Sequence, residues 1–251
     1  MNEELRIEVA DQIAVLTLSR AMSLDSAGKQ AISVATEELG HRDDVRVLIL
    51  TASDPAAFLV NVSELADMGE DSAAAFSRAG HRLAKTLESL PIPVIAAVEG
   101  AAHGGGCELV LACDIAIAGA GATFGQIEAL GGVMPGFGGT WRLARRVGFQ
   151  RACEMMYTGS VVDAMTAKTY GLVLEVSRAG ESFTAAKELA ERIRKTSPSS
   201  IAAIKRVAHA AWNLEPSQAD GLEEAAFPKL FGSEQSIRMH TFLKQQVSMK
   251  D

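Results

Sequence analysis

Between Pro93 and Asp114 an unbroken apolar run, a triple glycine and a short apolar helix carrying one acid follow in direct succession. Few folds accommodate that order. Pro93-Val94-Ile95-Ala96-Ala97-Val98 has no polar alternation, as expected of a strand buried on both faces of a sheet. Gly104-Gly105-Gly106 then predicts a sharp turn into a helix whose first amides have no partner within it. The aligned peptide dipoles make that end partly positive and suited to a developing negative charge, so it is a candidate oxyanion hole. Glu108 follows about one turn later, among Cys107, Leu109, Val110 and Leu111. A carboxylate in such company is rarely there for packing. Two readings stand at this point: a tight strand-to-helix connection with Glu108 in solvent, and an active site.

The chain has 251 residues, 48% of them hydrophobic, enough for a sizeable core in one domain with a small appendage. A formal net charge of -7 weighs against nucleic acid as a partner, because phosphate binding rests on Lys and Arg. Cys107, Cys113 and Cys153 lack zinc-ligand spacing and sit in apolar or helical contexts, which predicts reduced thiols and no metal. The acidic start, Met1 to Arg6, predicts neither signal nor transit peptide, and no apolar run is long enough to span a bilayer. The expectation is a cytoplasmic protein with no membrane partner.

Along the chain, Leu5 to Val9 and Ile13 to Leu18 alternate around Asp11-Gln12 and predict a β-hairpin. A polar loop, Ser19 to Gly28, leads to a helix from about Lys29 to Gly40, and Val45 to Thr51 predicts a strand. Phe58 to Leu65 stays open, since periodicity does not decide it, although Ser63 is placed to cap a helix. From Ser72 to Leu90 a helix shows Phe76, Leu83, Leu87 and Leu90 on one face, with Pro91 closing it. Asp114 to Ala118 and Leu172 to Val176 predict further strands. A second glycine-rich loop, Gly131 to Thr140, gives a ligand close access to backbone and feeds a helix with Arg142, Arg145 and Arg146. That arginine group reads as a solvated face, with phosphate binding as the alternative. Strands leading through polar loops to helices make an α/β rhythm. From Glu181 onward only helices are expected, with Pro228 bending or ending the third.

Several of these segments strongly resemble the crotonase superfamily, and within it enoyl-CoA hydratase. They are Ile92 to Gly100, Gly104 to Leu109, Cys113-Asp114-Ile115, Phe124-Gly125-Gln126-Ile127-Glu128 and Pro135 to Leu143. The likeness extends from about Leu5 into the tail. It implies a spiral of ββα turns over residues 1–195 and a C-terminal helical trimerisation region over residues 196–251. It also implies a homotrimer or a dimer of trimers, and an acyl-CoA thioester as substrate. Coenzyme A enters as part of the substrate, with no separate cofactor. By motif position the resemblance assigns catalysis to Glu108 and Glu128, and the two oxyanion amides to Val62 and Gly105. Val60, Gly104, Gly132, Pro135 and Gly136 become the expected substrate contacts.

Adding water to an α,β-unsaturated thioester places enolate character on the carbonyl oxygen, which fixed amide donors stabilise in the transition state. The same step needs a base for the water proton and an acid for the α-carbon. Two carboxyl groups in one dry pocket do not readily both ionise, so one holds a proton while the other accepts one. Glu108 is assigned to the water and Glu128 to the α-proton. The nearest competing activity is a Δ3,Δ2-enoyl-CoA isomerase, which works with the acid matching Glu128 alone. A non-catalytic acyl-CoA-binding scaffold is the third reading. Two segments depart from the family pattern: Val60-Asn61-Val62-Ser63 stands where Ala-Gly-Ala-Asp is usual, and Arg20 to Ser26 lacks the usual lysine near the CoA phosphates.

Overall fold

A computed structural model describes residues 5–19, 26–53, 58, 63–212 and 214–248. The chain divides into two compact units, Met1–Thr196 and Ser197–Asp251.

In the first unit, β1 (Leu5–Ala10) and β2 (Ile13–Leu18) form the antiparallel hairpin at one edge of a six-stranded sheet. Helix α1 (Ser26–Gly40) leads to β3 (Val47–Ala52), and α2 (Ser63–Ala66) and α3 (Glu70–Ser89) lead to β4 (Val94–Val98). Next come β5 (Ala101–His103), α4 (Gly105–Leu111), β6 (Ile115–Gly119) and β7 (Thr123–Gly125). The unit continues through α5 (Gly139–Val147), α6 (Phe149–Thr158), β8 (Val161–Asp163), α7 (Ala164–Tyr170), β9 (Glu175–Ser177) and α8 (Ser182–Ile193). The larger sheet runs β1-β2-β3-β4-β6-β9, parallel from β2 onward, and a smaller sheet runs β5-β7-β8. Consecutive turns therefore place one strand in each sheet and then a helix: β4, β5, α4 is one turn. Phe58 bridges Ala102 in parallel, where the preceding turn meets the smaller sheet.

The absence of alternation in residues 93–98 has a direct cause. Val94, Ala96 and Val98 face the main core with α1, α3 and α4, while Ile95 and Ala97 face a second cluster closed by Ala186 and Ala190 of α8. Both faces are apolar because both are covered. Glu99 ties α8 in place, accepting from the Gly180 amide at 2.9 Å and the Ser182 amide at 2.5 Å at the helix start. Asp114 holds the return from α4, its Oδ2 accepting from the Val94 amide at 2.7 Å.

Strands β5 and β8, three residues each, are too short to show a period in the sequence. The last strand lies later than the predicted Leu172 to Val176. The Leu172 amide still bonds the Ala167 carbonyl at the end of α7, and sheet pairing begins only when the Leu174 amide reaches Ala116 O at 2.8 Å. Of the segment Phe58 to Leu65, left open in the sequence, residues 59–62 lie outside the described residues, as do residues 20–25.

The second unit is helical throughout its described residues: α9 (Pro198–Ala211), α10 (Pro216–Ala226) and α11 (Ser233–Ser248). Pro228 ends α10 as expected and sits in a 3-10 turn, Phe227–Leu230.

Gly106 carries the tightest backbone approach near the first turn of α4. A Cβ there would run into the Phe58 carbonyl oxygen, which is backbone and cannot rotate away. Gly106→Ala is expected to lower stability by about 1–3 kcal/mol through overpacking. Urea denaturation measures it, and an unchanged midpoint would mean that the two segments are not held together.

Candidate active site

The turn at Gly104, with φ of 54°, brings the chain from β5 into α4. Gly104 N bonds Gly125 O of β7 at 2.9 Å, so the two strands register the turn against the segment that carries Glu128. Glu108 sits one turn into α4 and is 1% exposed, which excludes the solvent-facing reading of this acid. Its Oε1 accepts from the Phe137 amide at 2.7 Å and the Gly139 amide at 2.6 Å. Both donors lie where the second glycine loop enters α5. A Cβ on Gly139 would stand 2.9 Å from Glu108 Oε1 and 2.7 Å from the end of the Gln126 amide, so glycine allows this approach. Burial pushes the Glu108 carboxyl above the usual carboxylate range, and the two amides and Arg142 offset part of that rise.

Glu128 opens the 3-10 turn Glu128–Gly131 that follows β7. It is half-buried, and a Cβ on Gly104 would lie 3.1 Å from its Oε1, which places the carboxyl over the glycine turn. Burial, with the Glu108 charge adding to it, raises this carboxyl to about 7. Gln126 is fully buried between the two acids' segments. With its amide oriented by its neighbours, Nε2 donates to Glu128 Oε1 at 3.0 Å and Oε2 at 3.1 Å.

Gly105 and Glu108 line one narrow cavity with Leu83 and Ala84 of α3, Leu109, Phe137, Gly80 and Lys29. As one of the first residues of α4, Gly105 has an amide with no acceptor inside the helix. Among the described residues no group of three or more His, Cys, Asp and Glu side chains could hold a metal ion. No helix among them is long and apolar enough to cross a membrane.

The enoyl-CoA hydratase/isomerase family model matches residues 8–247. The chain belongs to that family. It is 32% identical over 246 residues to a short-chain-enoyl-CoA hydratase of Clostridium acetobutylicum, covering 96% of this chain and 94% of the relative. A crotonyl-CoA hydratase of Syntrophomonas wolfei is 32% identical over 250 residues, covering 97% and 96%. The crystal structure of an enoyl-CoA hydratase from Bacillus anthracis matches with a TM-score of 0.92 at 30% identity over 97% of each chain. The spiral of ββα turns is thus the crotonase fold.

Of the residues expected at the site of this hydratase/isomerase family member, Glu108, Glu128, Gly104 and Gly105 come together around the glycine turn. Pro135 is buried and Gly136 half-buried in the loop that leads to the Glu108 donors, and Ser77 Oγ of α3 donates to Gly136 O at 2.7 Å. Gly132 instead ends the 3-10 turn in an exposed left-handed conformation, and a Cβ there would meet nothing within 4 Å among the described residues. Val60 and Val62 lie outside the described residues. His103 packs as a structural histidine, its Nε2 3.0 Å from Thr123 Oγ1.

The arginine group requires a correction at Arg142 and Arg146, while Arg145 is exposed as expected. Arg142 neither faces solvent nor stands ready for phosphate: it is 7% exposed and donates through Nε and Nη2 to Glu88 at 2.6 and 2.9 Å. Its Nη1 donates to Phe137 O at 2.6 Å, on the residue whose amide holds Glu108. Arg146 donates to Leu111 O and Cys113 O at the far end of α4. Helix periodicity alone does not separate a buried arginine from a solvated one, because the deciding partner, Glu88, is distant in sequence. Gln126 was also missed as a site residue, although it stands two positions before Glu128.

Arg142→Met leaves Glu88 without its bidentate partner and Phe137 O without its donor. The expected cost is about 3 kcal/mol by urea denaturation. Glu88→Gln should cost less than Arg142→Met, and the double variant should fall short of the sum of the two. Strict additivity would show that the pair is not coupled.

Proposed function

We propose that this protein is a 2-enoyl-CoA hydratase, adding water across the α,β double bond of an enoyl-CoA thioester to give a 3-hydroxyacyl-CoA. The observation that carries the reading is the pair of acids in unlike settings. Glu108 is anchored through one oxygen by two amides, and Glu128 holds a carboxyl at about 7.

In this mechanism the amides of Gly105 and Val62 receive the thioester carbonyl oxygen. Glu108 Oε2, the oxygen not engaged by the two loop amides, takes a proton from a water as its oxygen bonds C3. The π electrons pass to C2 and the carbonyl, and the developing oxyanion rests on the two amides. Glu128, protonated in a large fraction of molecules at neutral pH, gives its proton to C2. Proton exchange with solvent then resets the two carboxyls. Gln126 fixes the direction of the Glu128 carboxyl. No cofactor is needed beyond the CoA that the substrate brings. An isomerase has no use for a second acid so firmly oriented, and a scaffold has no use for either.

The assembly we propose is a homotrimer or a dimer of trimers. The helical unit offers Phe231, Met239, Phe242 and Leu243 exposed on the single chain, apolar material of the kind that interfaces cover. The compartment is a reducing one such as the cytoplasm, since Cys107, Cys113 and Cys153 are all free thiols.

Loss of the conjugated-thioester absorbance of crotonyl-CoA measures turnover. Glu108→Gln and Glu128→Gln are each expected to lower kcat by roughly 10²–10⁴-fold, the usual share of general acid–base catalysis. Wild-type levels in both would overturn the assignment. The raised Glu128 carboxyl is protonated below about 7 and loses its proton above it. The ratio kcat/KM is therefore expected to fall as pH rises through about 7, and that limb is expected to vanish in Glu128→Gln.

A further inference from the structure

Phe137 is held at three points, two of which lead back to α3. Its amide donates to Glu108 Oε1 at 2.7 Å. Its ring lies directly on Gly80, where any Cβ would run into it, with the Phe76 ring 5.2 Å away and the Lys29 ammonium 4.3 Å from the Phe137 centroid. Its carbonyl accepts from Arg142 Nη1 at 2.6 Å, while Nε and Nη2 of the same guanidinium are fastened to Glu88. One residue earlier, Gly136 O accepts from Ser77 Oγ. Ser77, Gly80 and Glu88 fall on one side of α3 by helical period, so that side splints the loop carrying both Glu108 donors.

A guanidinium is a planar fork whose donors point in fixed directions. With Nε and Nη2 on Glu88, Nη1 is aimed at one place, and Phe137 O stands there. The Trp141 ring lies over the guanidinium, 4.1 Å from its centroid to the central carbon, and Gly138 leaves Nη1 its room, since a Cβ there would strike it. The Phe137 peptide is therefore placed from Glu88, and with it the direction from which its amide meets Glu108. That amide and the one of Gly139 both engage Oε1, so their orientation decides where Oε2 points. Arg142 has no part of its own in the proton transfers. A base moved off its water nevertheless loses rate steeply, about 10²-fold for a misplacement of about 1 Å.

We propose that Arg142, held by Glu88, is a positioning residue for the hydration step: through the Phe137 peptide it fixes the Glu108 carboxyl so that Oε2 meets the reacting water. The role rests on the hydratase reading for the reaction and on the hydrogen-bond chain for the orientation. Glu128, oriented by Gln126, lies outside that chain. Attack of water at C3 should therefore depend on Arg142 more than proton transfer at C2 does.

The test follows two reactions in the purified protein and in Arg142→Lys, which keeps the charge but replaces the fork with a single ammonium. One is hydration of crotonyl-CoA. The other is exchange of the C2 protons of butanoyl-CoA for solvent deuterium, read by NMR, which uses Glu128 and the oxyanion amides but adds no water. In Arg142→Lys, kcat for hydration is expected to fall about 10- to 100-fold while exchange stays within about threefold of wild type. Glu88→Gln leaves Arg142 in place and is expected to show a smaller loss of the same kind, which keeps the test open if Arg142→Lys does not fold. The Glu108 carboxyl is followed directly by the infrared band of its protonated form, identified by its absence from Glu108→Gln. Its titration is expected at higher pH in Arg142→Lys, because loosened amides favour the carboxylate less. Glu128, Cys107 and Lys29, which also stand near Glu108, are unchanged in that variant. Hydration at the wild-type rate in a folded Arg142→Lys, equal losses in the two reactions, or an unmoved Glu108 titration overturns the proposal. Wild-type protein that exchanges butanoyl-CoA but hydrates no 2-enoyl-CoA overturns the hydratase reading instead, and the Glu108 titration then decides by itself whether Arg142 orients the carboxyl.

Discussion

The anchoring of one buried carboxylate is the constraint on which the site depends. Glu108 lies inside an apolar helix, where an acid left to itself would give up its charge. Two amides from the loop before α5 converge on its Oε1, and Arg142 stands behind that loop with its guanidinium divided between Glu88 and Phe137 O. Three stretches distant in sequence thus share one network: α3 through Glu88, α4 through Glu108, and the 135–139 loop with the helix α5 it enters. The lack of a side chain at Gly139 is what lets its amide come close enough. The helix, the loop and the ion pair are parts of a single solution to burying a charge.

The spiral supplies the rigidity that such a network needs. Each turn sends one strand into the large sheet and one into the small sheet, so the glycine turn at Gly104 is gripped between β5 and α4. Glu128 arrives from the adjacent strand β7, paired in register with β5. The two acids therefore sit on neighbouring turns of the spiral rather than on one element. Their environments differ because their depths differ: Glu108 is enclosed by helices, while Glu128 stands at the start of a half-exposed turn. Depth alone would favour the proton on Glu108; the amides of Phe137 and Gly139 oppose it and suit that carboxyl to the base role proposed for it.

How much was legible in the chain varied with the range of the interactions involved. The strand at 94–98, the helix at 70–89 and the glycine turn all rest on contacts between near neighbours or on burial of both faces, and periodicity and composition reveal those. Glu108 and Glu128 stood out because acids beside glycine turns and apolar runs are unusual, and because the motifs resembled a family. Arg142, Gln126 and Lys29 did not. Each is polar on a helix or, for Gln126, just past the end of β7, where a solvated reading costs nothing locally, and each is placed by contacts that the local pattern does not show: with Glu88, Glu128 and Phe137 respectively.

The amino-acid sequence by itself determined the α/β class, the two-face burial of the central strand and the turn that exposes the amides of α4. These follow from local propensity, spacing and the refusal of apolar runs to remain in water. Only the tertiary structure decided which charges are buried and against what. Whether a lysine or an arginine on a helix meets solvent, an ion pair or a pair of aromatic rings depends on what packs across from it. That opposing surface is assembled from the whole spiral, and no segment contains it alone.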